Sequence, residues 1–220
     1  EYEWDAKAGE KAMADAMAVL DAAAKHGSKR MSGMVAPSQI DTCTPELIRD
    51  SFTEAKRRRL PFQIHAAQSV VEFHEITRRH GMTPVEWLQS LGVLSPRSII
   101  GHGIFFDHHS SAHWPRTDDL GMLVESGTTV AHCPIVFQRR GIAMQSFGGY
   151  VAAGLNLGIG TDTYPHNMLE EMRAVAIGSR MMAESVWDVR TADVFAAATL
   201  GGAKALGRTD IGRLAAGAKA

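Results

Sequence analysis

The chain has 220 residues, of which 45% are hydrophobic and 21% are charged, and its formal net charge is -1. This balance is typical of a globular protein with a sizeable core and excludes a disordered chain. The one basic run, Lys56 to Arg59, falls at a predicted helix end, where positive charge complements the helix dipole, so we expect no nucleic-acid partner.

Targeting and redox signals are also missing from the sequence. No apolar stretch reaches the roughly 20 residues that span a bilayer, and the first residues do not form a signal peptide. We therefore expect a cytoplasmic protein without a membrane partner. Cys43 and Cys133 form no CxxC pair and are expected to be reduced thiols. The chain lacks an initiator Met and has no polar tail after Ala220, which suggests a piece of a larger protein.

The predicted elements alternate between helices and short apolar strands. They are, in chain order, a helix over Ala6 to Lys25, a strand over Met31 to Ala36, a helix from Pro45 to Arg59, a strand over Pro61 to Ala66, helices over Ser69 to Arg79 and Pro84 to Leu91, a strand over Ser98 to Phe105, a helix over Asp118 to Glu125, a strand over Thr128 to Pro134, a helix over Phe147 to Ala153, a strand over Leu155 to Gly160 and a helix over Leu169 to Met182. These are five β/α units. Their strands do not alternate between apolar and polar residues, as expected for a parallel sheet that is covered on both faces.

Four successive predicted strands end in a polar side chain. His65, His102 and His132 each close an apolar run, and Asp162 follows the last one. In a closed barrel these carboxyl ends converge on one mouth, whereas in an open sheet of this order they would be spread along an edge. No GxGxxG motif or P-loop follows any of the strands, which argues against a nucleotide-binding open sheet. The pattern therefore favours a (β/α) barrel.

Imidazole nitrogens and a carboxylate oxygen are the ligands that zinc and other divalent transition metals prefer. A single strand-end histidine is more often a hydrogen-bonded core residue than a ligand. Four such residues at equivalent strand ends favour a metal site.

The strand ends carry short motifs that together resemble one superfamily. The motifs are Ile64-His65-Ala66-Ala67-Gln68-Ser69-Val70-Val71-Glu72, Gly101-His102-Gly103, Ala131-His132-Cys133-Pro134 and Gly158-Ile159-Gly160-Thr161-Asp162. Their succession resembles strands five to eight of the amidohydrolase superfamily, in the branch of the cytosine and guanine deaminases, S-adenosylhomocysteine-type deaminases and s-triazine chlorohydrolases. The resemblance implies a partial (β/α)8 TIM-like barrel, approximately strands 4–8, over residues 1–210. Residues 211–220 resemble the start of the return into a small β domain.

The resemblance also implies roles for particular residues. His65 and Asp162 would bind one divalent ion, zinc or alternatively iron, together with an HxH pair upstream of Glu1. His102 would contact the metal-activated water or the substrate, and Asp162 would accept a proton from that water. His132 and His166 would contact the substrate. For Asp162 the alternative is a structural role as the N-cap of the next helix.

Gln68 departs from the pattern of the deaminase branch. That branch places a glutamate, which acts as a proton shuttle, three residues after the strand-five histidine, but this chain has Gln68. An amide has no titratable proton, so Gln68 can orient a substrate but cannot act as a general acid. Glu72, one helical turn further on, is expected to be a surface or interhelical residue. The departure weakens the prediction of a deaminase.

The sequence therefore predicts a metal-dependent hydrolase of a non-peptide carbon–nitrogen bond, or alternatively a carbon–chlorine bond, in a small cyclic or heterocyclic substrate. Two other hypotheses stay open, namely a nucleobase-type aminohydrolase with a replaced shuttle and a catalytically incomplete barrel fragment. The 220 residues alone are expected to be inactive, because two ligands do not hold zinc tightly. The His-rich loop from Asp107 to Arg116 is a candidate lid or specificity loop. The expected partner is a small molecule, and homo-oligomerisation is left open.

Overall fold

The fold is known from a computed structural model that describes residues 3–28, 31–115, 117–163 and 166–219. The sheet strands are β1 (Phe62–Ala66), β2 (Ser98–His102), β3 (Thr129–His132) and β4 (Asn156–Ile159). The α-helices are α1 (Ala6–Lys25), α2 (Pro45–Arg58), α3 (Val70–His80), α4 (Pro84–Ser90), α5 (Asp119–Ser126), α6 (Pro134–Gln138), α7 (Phe147–Ala152), α8 (Met168–Met182), α9 (Thr191–Ala196) and α10 (Gly202–Ala205).

The four strands form one parallel sheet in the order β1-β2-β3-β4. Each strand pairs with the next one in the chain, and helices form the connections between them, as in a segment of a (β/α) barrel. The predicted α/β class and parallel sheet are confirmed. The closed barrel, the count of strands 4–8 and the small β domain stay predictions. Residues 211–219 form bends and turns, and the amide of Lys219 donates to the carbonyl of Asp210 at 2.6 Å.

The predicted strand over Met31 to Ala36 is wrong in its extent. The chain there makes two isolated parallel bridges to β1, from Val35 to Phe62 and from Gln39 to His65. The extended pairing therefore lies further along the chain than the apolar run predicts. Its consequence is that Gln39 lies beside His65 at the edge of the sheet.

The core lies between the sheet and its helices. In β1 the side chains of Phe62, Ile64 and Ala66 are buried, whereas Gln63 and His65 between them are partly exposed. Helices α2, α3 and α5 bury apolar residues such as Ile48, Ile76 and Leu123 in the same region. The buried face of β1 therefore packs towards the helices, and the other face carries His65.

Most helix ends follow from local sequence signals. Thr83 and Glu86 form a capping box at α4, and Ser69 caps α3 by accepting from the amide of Glu72. The basic run at the end of α2 is used in ion pairs, since Arg57 pairs with Glu54 at 2.7 Å. Among the described residues, no helix combines the length and the apolar character that crossing a bilayer requires.

Helix α9 continues into α10 through a π-helical turn, Ala197–Gly201. A side chain at Gly201 would bring its Cβ to 2.0 Å from the carbonyl oxygen of Leu157 in β4. Asn156 of β4 also donates to the carbonyl of Gly201 at 3.2 Å. Glycine at position 201 therefore lets the turn lie directly on the backbone of β4.

Candidate active site

His65 lies near the end of β1, on the less buried face of the sheet. The register aligns it with Gly101 in β2, Ala131 in β3 and Gly158 in β4. A Cβ on Gly101 would come within 2.9 Å of Cδ2 of His65. Small residues in this row therefore leave room for the imidazole of His65.

A hydrogen bond fixes the orientation of the His65 ring. Its Nδ1 atom lies 2.6 Å from the backbone carbonyl oxygen of Ser38. Because a carbonyl oxygen only accepts, Nδ1 carries the hydrogen, and the lone pair lies on Nε2. Metal-binding histidines are held in this way by a second hydrogen bond on the ring. This bond leaves Nε2 of His65 without a role in the Ser38 contact, and metal binding by His65 stays a prediction.

His102 ends β2 with a left-handed backbone, at φ 79°. Strict alternation would place its side chain on the opposite face from Gly101, but its ring instead stacks on that of His65, with centroids 5.1 Å apart and planes at 15°. Burial and the neighbouring His65 lower the pKa of His102 to about 4, so its ring is neutral at neutral pH. The left-handed turn brings the two imidazoles together.

Asp162 follows β4 and also has a left-handed backbone, at φ 54°. Its Oδ2 atom lies 3.8 Å from Nε2 of His102, and 31% of its side chain is exposed. The N-cap of α8 is Asn167, whose side chain accepts from the amide of Glu170. Asp162 is therefore not the cap of that helix, and its carboxylate faces His102 at a position that a ligand can reach.

His132 occupies a more enclosed position at the end of β3. Its ring is buried and lies 6.3 Å from the ring of Phe147. Burial lowers the pKa of His132 to about 4, although a hydrogen bond with the backbone of His102 opposes the shift. Within the described residues, Nδ1 of His132 and Nδ1 of His102 have no hydrogen-bond partner. His132 thus supports the backbone of His102, and its predicted contact with substrate stays a prediction.

The donor types in this cluster fit a transition metal, but their number is too small for a complete site. Neutral imidazole and carboxylate are zinc ligands, and a catalytic zinc normally has three protein ligands. No group of three or more His, Cys, Asp or Glu side chains in the described ranges is arranged to hold a metal ion. Burial raises the pKa of the Cys133 thiol to about 12, so this neighbouring sulfur is protonated at neutral pH. His65 and Asp162 could therefore supply only part of a ligand set, and their predicted role as ligands stays a prediction.

Glu72 is buried, with only 1% of its surface exposed, so the expectation of a surface residue is wrong. Its carboxylate accepts from the backbone amides of Ala67 at 2.6 Å and Gln68 at 3.3 Å. Burial raises the pKa of Glu72 to about 8, despite these bonds, which favour the charged form. Ala67 has a left-handed backbone at φ 54°, so the helix-face spacing of Glu72 alone did not indicate that the chain turns back towards it.

Gln68 lies in a chain of polar side chains that sequence reasoning missed. Its Nε2 atom donates to Oε1 of Gln39 at 3.0 Å, and Nε2 of Gln39 donates to Oδ1 of the buried Asp41 at 2.7 Å. Gln39 and Asp41 precede His65 by more than twenty residues, and only the bridge between Gln39 and His65 brings them to the site. No local spacing in the sequence indicates this arrangement.

The remaining predicted residues lie around the cluster. His166 is exposed directly before the cap of α8, and its contact with the substrate stays a prediction. In the His-rich loop, His108 bonds Asp107 at 3.1 Å and the hydroxyl of Tyr150 at 2.8 Å. The loop is thus anchored at this point, and its role as a lid stays a prediction; Arg116 is outside the described residues.

Comparisons with known proteins identify relatives of this chain. A 5'-deoxyadenosine deaminase from Methanothermobacter thermautotrophicus is 30% identical over 192 residues, which cover 86% of this chain and 43% of the relative. The crystal structure of an adenosine deaminase from Xanthomonas campestris with bound zinc is 26% identical, has a TM-score of 0.78, and is matched over 91% of this chain and 44% of its own. The chain thus spans less than half the length of these relatives.

A third similarity concerns the fold alone. An atrazine chlorohydrolase variant from Arthrobacter aurescens TC1, complexed with zinc and atraton, is 20% identical and has a TM-score of 0.79 over 94% of this chain and 45% of its own.

The model of the amidohydrolase family matches residues 5–220. With the strand-end histidines in place on a parallel sheet, this match shows that the chain belongs to the amidohydrolase family.

Proposed function

We propose that this chain carries part of the active site of a metal-dependent hydrolase that breaks a non-peptide carbon–nitrogen bond in a small heterocyclic molecule. The observation that carries the proposal is the convergence of His65, His102 and Asp162 at the strand ends. Nδ1 of His65 bonds the carbonyl of Ser38, which leaves Nε2 of His65 available. Water attack at a ring carbon needs a nucleophile, a proton acceptor and a means of orienting the ring. This cluster offers residues for each task.

His65 and Asp162 would hold the metal, and zinc is the ion that we propose, because the similar adenosine deaminase binds it. A divalent ion held there would lower the pKa of a water molecule towards about 7 and so supply the nucleophile. The ligands that complete the set would come from outside the described residues.

Asp162 and His102 would carry out proton transfer and hydrogen bonding to the substrate or water. The carboxylate of Asp162 lies 3.8 Å from Nε2 of His102, so we assign to it the acceptance of a proton from the attacking water. His102 is neutral because its pKa is about 4, and its ring can therefore exchange hydrogen bonds with substrate or water without adding charge. The stacked ring of His65 and the backbone bond of His132 hold His102 in place.

Deamination of a purine-like compound is the form of the reaction that the relatives support, since the 5'-deoxyadenosine deaminase is 30% identical. Removal of chloride is the second candidate, and Gln68 favours it. Ammonia leaves more readily when its nitrogen is protonated, whereas chloride leaves without a proton. Gln68 cannot deliver a proton to a leaving group.

The proposal is tested on the full-length, zinc-loaded protein with a panel of amino- and chloro-substituted purines, pyrimidines and s-triazines. Release of ammonia or chloride is measured for the wild type and for His65→Ala and Asp162→Ala, together with zinc content. We expect each substitution to remove the metal and to lower kcat by at least about 1000-fold, because it deletes a ligand.

His74→Ala is the matched control, since His74 is an exposed imidazole on α3 away from the cluster. It should keep both zinc and activity. A full-length protein that retains zinc in the His65→Ala and Asp162→Ala variants would contradict the assigned ligands. A zinc-loaded protein that releases neither product from the panel would contradict the proposed reaction. The cytoplasmic location of the protein stays a prediction, and its assembly into homo-oligomers stays open.

A further inference from the structure

We propose that Phe137 is a positioning residue, which holds the imidazole of His102 in the orientation that the candidate site needs. The inference rests on the proposed function, in which His102 bonds the substrate or the attacking water. It adds a phenylalanine of helix α6 that acts only through His102.

The first step concerns what fixes the ring of His102. Its Nε2 atom lies 3.8 Å from Oδ2 of Asp162, which is too long for a hydrogen bond, and its Nδ1 atom has no hydrogen-bond partner within the described ranges. His65 differs, because its Nδ1 atom lies 2.6 Å from the carbonyl oxygen of Ser38. The orientation of the His102 ring therefore depends on the rings that pack against it.

Two aromatic rings pack against His102. The ring of His65 is stacked on it, with centroids 5.1 Å apart and planes at 15°. The ring of Phe137 meets it edge to face, with centroids 4.7 Å apart and planes at 68°. Two neighbours inclined at different angles constrain the imidazole more than one stacked ring does, because a movement that keeps one contact changes the other. Phe137 thus supplies the constraint that His65 alone does not.

Phe137 is itself held by its surroundings. Only 7% of its surface is exposed, and it belongs to a buried apolar cluster with Phe73, Ile104 and Val136. Side chains in such a cluster are close-packed and have little room to change rotamer. The ring of Phe137 therefore keeps a fixed position relative to the sheet.

The helix that carries Phe137 is also anchored. The amide of Ile135 donates to the carboxylate of Glu171 in α8 at 3.0 Å, and Nε2 of Gln138 donates to the carbonyl of Ala174 in α8 at 3.1 Å. A Cβ on Gly178 would come within 2.2 Å of Nε2 of Gln138, so glycine there permits the close contact between α6 and α8. Hydrogen bonds to α8 thus hold α6 on either side of Phe137.

The experiment compares the full-length, zinc-loaded wild type with Phe137→Leu. NMR measures the nuclear Overhauser effect (NOE) between the ring protons of His65 and His102, and steady-state kinetics measures kcat. In Phe137→Leu the NOE should be lost or clearly weakened, and kcat should fall about 10- to 100-fold, because a small displacement of a group at the reacting centre has an effect of this size. Zinc content should stay at the wild-type value, since both proposed ligands are kept.

Phe73→Leu is the matched control for the loss of a buried ring. Phe73 is fully buried in the same cluster, but its ring packs on His74 and Trp114. This variant loses the same atoms as Phe137→Leu and should keep the wild-type NOE and kcat.

Two further variants at position 137 separate the ring from its volume. Phe137→Met fills a similar space without a ring, so it should behave like Phe137→Leu and replaces that variant if it does not fold. Phe137→Tyr keeps the ring and should keep the NOE. A wild-type NOE in both ringless variants would overturn the inference. An equal loss of kcat in Phe137→Leu and Phe73→Leu would also overturn it.

The NOE does not depend on turnover, so the two proposals fail separately. If only the ringless variants at position 137 weaken the NOE, but the wild type releases neither ammonia nor chloride, the positioning role is supported and the proposed reaction is contradicted. A wild type that hydrolyses the panel, with an unchanged NOE in the ringless variants, contradicts the positioning role alone.

Discussion

Three residues near the candidate site have left-handed backbones although they are not glycines. They are Ala67 after β1, His102 at the end of β2 and Asp162 after β4. Each such conformation costs of order 1–3 kcal/mol for a residue with a side chain, and such residues cluster at functional sites. In His102 the stacking of its ring on that of His65, which this backbone conformation allows, offsets part of the cost. The backbone strain therefore coincides with the proposed chemistry.

Gly101 provides a test at this scale. In Gly101→Ala the new Cβ would meet Cδ2 of His65 at 2.9 Å, so we expect the imidazole to shift and the zinc affinity of the full-length protein to fall at least about 10-fold. Zinc affinity is measured by competition with a chelator.

The control for this variant is Gly158→Ala, in the same row of the sheet. Its Cβ would meet other atoms only at 3.8 Å or beyond, which is ordinary contact. Equal zinc affinity in the two alanine variants would show that Gly101 does not position His65.

At the scale of elements, hydrogen bonds join the turns that follow β1 and β2. The carbonyl of Ala67 accepts from the amides of Ile104 at 2.7 Å and Phe105 at 2.8 Å, while Glu72 holds the amide of Ala67 itself. The turn that bears Gln68 is thus tied both to its own helix and to the neighbouring loop. Displacement of one turn should affect the other.

Glu72→Ala should therefore lower the free energy of unfolding by about 2–3 kcal/mol, because two buried amides lose their acceptor. Chemical denaturation at pH 6.5 measures the change. Glu75→Ala on the same helix is the comparison, since Glu75 pairs with the side chains of Arg79 and of the exposed Arg78 and should contribute about 1 kcal/mol. Similar losses in both variants would argue against the anchoring role.

Helix α5 begins with another buried carboxyl group, Asp119. It accepts from the amide of Asp107 at 2.9 Å and from the hydroxyl of Thr83 at 2.5 Å. Burial raises its pKa from 3.8 to about 7. Between these two pH values the folded state holds a proton that the unfolded state has lost. The contribution of Asp119 to stability is therefore greatest below pH 3.8 and falls as the pH rises to about 7.

Asp119→Asn should remove this dependence. We expect the slope of unfolding free energy against pH between 4 and 7 to become less negative, by at most about 1.4 kcal/mol per pH unit. Asp118→Asn is the control, since Asp118 is an exposed N-cap that asparagine can replace. A slope that is the same in wild type and Asp119→Asn would contradict the raised pKa.

At the scale of the whole molecule, the sequential parallel sheet places the three candidate residues at one end, but the described residues do not complete a metal site. The 220-residue chain, dialysed against metal-free buffer, should therefore retain well below one zinc per chain. The full-length protein should keep about one. Elemental analysis measures the zinc content of the 220-residue chain and of the full-length protein. One zinc per chain in both proteins would show that the 220-residue chain has a complete ligand set.

The sequence predicted α1 to α5, α7, α8, the four strands of the sheet and the strand-end positions of His65, His102 and His132, because apolar runs and capping residues are local signals. Helices α6 and α9 were not predicted. The sequence did not predict the buried position of Glu72 or the hydrogen bonds that join the side chains of Asp41, Gln39 and Gln68. Those contacts depend on a left-handed turn at Ala67 and on the pairing of Gln39 with His65, which neither propensity nor periodicity contains. Polar networks between distant segments are set by tertiary packing.

The order of the sheet has a consequence for biosynthesis. The four strands pair in chain order, β1-β2-β3-β4. When β2, β3 or β4 is synthesised, the strand with which it pairs has therefore already been synthesised. Such pairing keeps loop closure short and lets the sheet grow in the direction of translation. His65 and His102 can therefore meet before β3 has been synthesised, whereas Asp162 joins them only after the fourth strand is in place.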